Sequence, residues 1–132
     1  MNYPIVIHKD KNSDFGIIVP DLPGCFSAGD TIEDAIENAK EAILCHLEGI
    51  LLDNEEIPLP ASIDKYKRKK EYKDGIWALI KIDMSELRGK SKRVNITMPE
   101  NILRKVDIYA EKEGETRSGL LVTAIMEYIS SH

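Results

Sequence analysis

Hydrophobic and polar positions follow two different periods along this chain, and each change of period marks an element. Tyr3 to His8 is rich in β-forming side chains, and a polar turn, Lys9 to Asp14, separates it from a second apolar run, Phe15 to Val19. Two such runs around a polar turn predict a hairpin. Pro20 to Asp30, with two prolines and two glycines, predicts a loop holding a short strand near Cys25 to Ala28. The period then becomes helical: Ile32, Ala35, Ile36, Ala39, Ile43, Leu47 and Ile50 fall on one stripe, with Glu33, Glu37, Lys40, Glu41 and Glu48 opposite. Thr31 with Asp34 three residues on is an approximate capping box, and the helix is predicted to reach Leu52. Ile57-Pro58-Leu59-Pro60 breaks the pattern as an extended crossing segment. Ile76 to Met84 then reads as another strand, predicted to be buried from its apolar density. A helix with three or four strands is an α+β layer, the helix on one face of a small antiparallel sheet.

The strictest alternation comes later, in Lys92-Arg93-Val94-Asn95-Ile96-Thr97-Met98, and stops at Pro99. It predicts a strand with Arg93, Asn95 and Thr97 on one face and Val94, Ile96 and Met98 on the other. Helical spacing follows at Ile102, Leu103, Val106, Tyr109 and Ala110, ending at Gly114, and again after Thr116 at Leu120, Leu121, Ala124, Ile125, Tyr128 and Ile129. Strand, helix, turn and helix in about forty residues cannot close a core alone. A symmetric dimer would: two strands pair into an antiparallel ribbon, four helices cover its back, and the polar face is presented twice.

This segment resembles a ribbon-helix-helix DNA-binding domain, the type that lays a two-stranded ribbon in the major groove. The resemblance implies a base-reading role for Arg93, Asn95 and Thr97, and their chemistry agrees: Arg offers a fork to guanine, Asn pairs with adenine, and Thr bonds or touches a thymine methyl. Thr116, Arg117 and Ser118 open the second helix, whose free N–H groups suit a DNA phosphate, with Arg117 adding charge and Lys92 expected as a further phosphate contact.

Charge changes the picture of the first half. The whole chain has a formal net charge of −5, but residues 1–60 carry 3 Lys+Arg against 12 Asp+Glu, net −9, residues 61–90 carry 9 against 5, and residues 91–132 carry 6 against 6. An acidic first half is not a DNA surface and points to a different, basic partner. Two cysteines, Cys25 and Cys45, and the lack of an apolar segment long enough for a signal or a span lead us to expect a reduced, cytoplasmic protein away from membranes.

The first half also resembles the HicB antitoxin family, partners of the small HicA ribonuclease toxins. The resemblance is carried by Tyr3-Pro4, Phe15-Gly16, Pro20-Asp21-Leu22-Pro23-Gly24-Cys25, Gly29-Asp30-Thr31, Asn38-Ala39 and Glu41-Ala42, in that order. It implies a partial RNase H-like domain over 1–88 that binds and covers the toxin, and a dimerising ribbon-helix-helix domain over 89–132 that represses the operon's own promoter. Dimers pairing into tetramers remain open. Acids near the loop, Asp21 and Asp30, are the expected toxin contacts.

An enzyme is not expected. An RNase H-like site needs carboxylates converging on Mg²⁺, yet the first strand has no acid, and Asp10, Asp14, Asp21 and Asp30 fall in turns or loops. Glu48 and Asp83 read as a solvated helix face and a strand end. His8 and His46 show no ligand spacing with either cysteine, so neither metal nor other cofactor is expected. Cys25 reads as a small buried residue. The basic run Lys65 to Lys73, with Tyr66 and Tyr72 interleaved, reads as a solvated loop or as phosphate contacts. The competing functional reading is a ligand-sensing ribbon-helix-helix repressor whose first domain holds a small molecule.

Overall fold

A computed structural model describes residues 1–9, 14–87 and 92–132. The predicted turn at 10–13 and the linker residues 88–91, Gly89 among them, lie outside the described residues. The chain divides into two compact units, Met1–Ile82 and Asp83–His132. The sequence placed the division after residue 88. It comes earlier because Asp83 bonds to Thr116 and the turn Met84–Glu86 packs on the last helix, so 83–87 belong with the second unit.

The first unit is a four-stranded antiparallel sheet of order β3-β2-β1-β4, with β1 Asn2–Lys9, β2 Phe15–Ile18, β3 Phe26–Gly29 and β4 Ile76–Lys81, crossed by helix α1, Ile32–Leu52. The hairpin, the short third strand and the long helix stand where the periods predicted them. Register explains which face is core. Ile7 lies opposite Ile17 and Ile17 opposite Ser27, and the Ser27 hydroxyl donates to the Ala35 carbonyl of α1 at 3.1 Å. That face is therefore the one under the helix. Tyr3 and Ile5 share it with Ile80 of β4, and they bury against a sheet-side stripe of Ala35, Ala39, Ile43 and Leu47. Full burial of each large aliphatic side chain contributes roughly 1.5–3 kcal/mol. Thr31 caps α1 as expected, its Oγ1 accepting the Asp34 N–H at 3.1 Å.

β4 corrects the sequence reading. Instead of a buried strand it is an edge, hydrogen-bonded among the described residues to β1 alone, and it leaves Ile76 and Leu79 largely exposed while burying Ile80. The crossing segment that precedes it is tied down by side chains. Tyr3 donates to the Pro58 carbonyl at 2.8 Å, and the Asp21 carboxylate accepts from the Ala61 N–H at 3.2 Å and from the Tyr66 hydroxyl at 2.6 Å. Short helix α2, Ile63–Tyr66, and a 3-10 turn, Lys70–Tyr72, then form an edge-to-face aromatic chain, with Tyr66–Tyr72 centroids 6.3 Å and Tyr72–Trp77 centroids 5.6 Å apart.

The second unit holds α3, Glu100–Glu113, and α4, Arg117–Ser131. Both boundaries follow the sequence signals. Pro99 is the cap of α3, Gly114 ends it in the left-handed region at φ +66°, and Thr116 caps α4 by accepting the Gly119 N–H at 3.0 Å. Among the described residues no helix is long and apolar enough to cross a membrane.

Candidate nucleic-acid interface

Residues 92–99 run without strand pairing, which differs from the strand the alternation predicts. The physical reason is that a strand is a ladder of hydrogen bonds to a neighbour, and among the described residues this segment has none. Both sets of alternate side chains are left open: Arg93, Asn95 and Thr97 are exposed, and so are Val94 at 70% and Ile96 at 64%. Behind them the helices are barely covered. Ile102, Ile108, Tyr109, Val122, Ile125, Tyr128 and Ile129 are exposed, and among the described residues of α3 and α4 only Ala110, Gly119 and Thr123 are buried. A cluster this apolar with so little burial has no core of its own.

The start of α4 is built from two carboxylates that the sequence reading missed. Thr116 Oγ1 donates to Asp83 Oδ2 at 3.0 Å, while Asp83 Oδ1 accepts from the Ser85 N–H at 2.9 Å and the Ser85 hydroxyl at 2.7 Å. Burial opposes ionisation of Asp83, but the bonds from Ser85 and Thr116 outweigh it and hold the carboxyl below the usual range. Arg117 Nε and Nη2 reach the two oxygens of Asp107 at 2.7 Å each, a bidentate pair bridging α4 to α3. The hydrogen bond from Arg117 pulls the Asp107 carboxyl below its ordinary value.

The residues predicted to touch phosphate therefore separate into two groups. Lys92 and Ser118 are exposed, whereas Thr116 and Arg117 already hold internal partners. Thr97 and Arg117 line one open groove with Ile96, Met98, Leu103 and Leu121, so of the three residues predicted to read bases Thr97 lies beside the start of α4, while Arg93 and Asn95 do not line that groove. No periodicity marks Asp83 or Asp107, because each acts on a residue in a different element. The spacing of Asp107 ten residues ahead of Arg117, across a glycine turn, was the only available signal.

In the first unit the two acids expected to face a toxin also diverge. Asp30 is exposed, while Asp21 is occupied by Ala61 and Tyr66. Burial, together with the hydrogen bond to Asp21, pushes the Tyr66 hydroxyl up to about 12. Cys25 is buried as expected, and burial raises its thiol further, with Cys45 contributing. Among the described residues no three His, Cys, Asp or Glu side chains are grouped to hold a metal.

Known proteins resemble this chain over most of its length. Residues 3–125 match a family model described as HicB_like antitoxin of bacterial toxin-antitoxin system. An uncharacterized 14.9 kDa protein in the rep-hol intergenic region of Haemophilus phage HP1 is 46% identical over 123 residues, 92% of each chain. The crystal structure of the Burkholderia pseudomallei antitoxin HicB superposes with a TM-score of 0.77 at 40% identity, covering 97% of this chain and 98% of that one. A chain of a HicA3 and HicB3 toxin-antitoxin complex superposes with a TM-score of 0.53 at 36% identity, covering 63% of this chain and 99% of that one.

Proposed function

This chain belongs to the HicB-like antitoxin family, and from that premise we propose that it neutralises a HicA-type mRNA-cleaving toxin and represses its own operon. The observation that carries the second half is the open segment 92–98. Its polar alternates, Arg93, Asn95 and Thr97, are chemically equipped for base edges, and two of its apolar alternates, Val94 and Ile96, are mostly exposed. A second copy supplies both missing parts at once: a strand to complete the ribbon and two helices to bury Val94, Ile96 and the exposed faces of α3 and α4. The resulting ribbon-helix-helix domain reads the major groove of promoter DNA.

Toxin binding falls to the first unit, a partial RNase H-like layer of sheet and helix. A chain of the HicA3–HicB3 complex supports this by its likeness to about that share of the molecule. Neutralisation is steric and charge-guided, an acidic pre-folded surface over a basic RNA-binding protein. With Asp21 engaged internally, the exposed acids include Asp30 and the outward residues Glu33, Asp34, Glu37 and Glu41 of α1.

Co-expression with the small open reading frame adjoining the gene tests the first half. A complex that co-elutes through moderate salt and restores growth is expected, and a toxin that elutes alone refutes it. For the second half, Arg93→Ala or Asn95→Ala is expected to weaken promoter binding by about 1–3 kcal/mol with the oligomer intact. Promoter affinity equal to wild type in both variants removes the base-reading assignment.

A further inference from the structure

One strongly charged surface has no part in the function proposed so far. Residues 65–73 contain Lys65, Lys67, Arg68, Lys69, Lys70 and Lys73 against a single acid, Glu71. The run is folded: Tyr66 is buried with its hydroxyl on Asp21 at 2.6 Å, and Tyr72 sits between the rings of Tyr66 and Trp77. Lys65 and Lys69 place their ammonium groups 5.4 and 5.5 Å from the centre of the Tyr66 ring. Lys67 pairs with Asp64 at 2.8 Å, but among the described residues the other five cations have no carboxylate at ion-pair distance. Mutual repulsion opposes such a cluster, yet an aromatic anchor fixes the backbone that displays it.

The second unit has the opposite character. Residues 83–132 carry 8 Lys+Arg and 8 Asp+Glu, and Arg117 is already neutralised by Asp107. Affinity for duplex DNA comes largely from cations that displace condensed counterions from phosphates. A charge-balanced module supplies little of that affinity, while 65–73 holds six cations against one acid. We propose that the run from Lys65 to Lys73 is a second nucleic-acid surface, adding sequence-independent binding to the phosphates of duplex DNA to the recognition by Arg93, Asn95 and Thr97. The proposal rests on the operator-binding reading.

The test compares the full-length chain with a variant carrying Lys65→Gln, Arg68→Gln, Lys69→Gln and Lys70→Gln, on fluorescent promoter and scrambled duplexes, over about 50 to 200 mM salt. The expected result is an unchanged Tm and assembly mass, with the plot of log affinity against log salt shallower by about 0.9 for each phosphate that the variant no longer neutralises, equally on both duplexes. A control that exchanges the same positions between Lys and Arg keeps the wild-type slope. An unchanged slope in the Gln variant overturns the proposal and leaves operator reading standing. Wild-type chain that binds both duplexes equally, with a shallower slope in the variant, supports the run and removes operator specificity. No duplex binding by wild type overturns both readings, and a smaller assembly mass in the variant reassigns the run to an interface between copies.

Discussion

Gly119 lies so close beneath the Asp83 carboxylate that a Cβ placed on it would overlap Oδ1. The carboxylate thus rests on the first turn of α4, where it also accepts the Thr116 hydroxyl, and the missing side chain is what lets it approach. Gly119→Ala must displace the Asp83 side chain and with it the bond from Thr116, so a loss of about 0.5–1.5 kcal/mol is expected in the second unit. Chemical denaturation followed by far-UV CD measures it. A variant as stable as wild type would show that the 83–87 segment is not docked on α4.

The same approach of Asp83 to α4 sets an acid limit. The folded-state value of Asp83 lies below its unfolded value of about 3.9, so ionisation contributes stability that is fully present above that value and is lost as pH falls through the folded one. Stability of the second unit is expected to drop below about pH 4, and Asp83→Asn to flatten that drop while lowering stability near neutrality. Thermal melts of both proteins across the acid range compare the two slopes; parallel slopes would assign the acid loss to other carboxylates.

An alkaline limit belongs to the first unit. Tyr66 titrates at about 12 in the fold against about 10 unfolded, so its stabilisation is complete below about pH 10 and disappears as pH rises toward 12. Tyr66→Phe removes a 2.6 Å bond to a carboxylate and is expected to cost about 1–3 kcal/mol. Stability measured from neutral to strongly alkaline pH should converge between the two proteins. A gap that stays constant would mean Tyr66 ionises freely and Asp21 does not hold it.

What the sequence revealed depended on how local each cause was. The α1 stripe, the Thr31 and Thr116 caps and the Gly114 stop act within a few residues, and each stands where the residue pattern put it. The place of β4 beside β1 did not show, because that pairing closes a loop of more than sixty residues across the crossing segment. Its apolar density read as full burial, although an edge strand meets a neighbour on one side only. Asp21 looked like a free loop acid because its partners Ala61 and Tyr66 lie some forty residues on. Thr116 and Arg117 looked free for the same reason, with Asp83 and Asp107 supplying their partners from other elements.

The ribbon assignment stands or falls on Val94 and Ile96. Both lie on the apolar side of the alternation and are mostly exposed in the single chain, so a charge there touches little within one copy. In a paired ribbon the same charges would be buried without partners against the helices, at a cost of several kcal/mol. Ile96→Asp, alone and with Val94→Asp, is therefore expected to lower the assembly mass measured by light scattering and to abolish promoter binding, while the first unit keeps its folded spectrum and still captures the toxin. Thr97→Ala is the control, since it changes the polar side and should leave the assembly mass unchanged. If the Asp variants assemble as wild type does, segment 92–98 is not a seam between copies and the ribbon assignment fails.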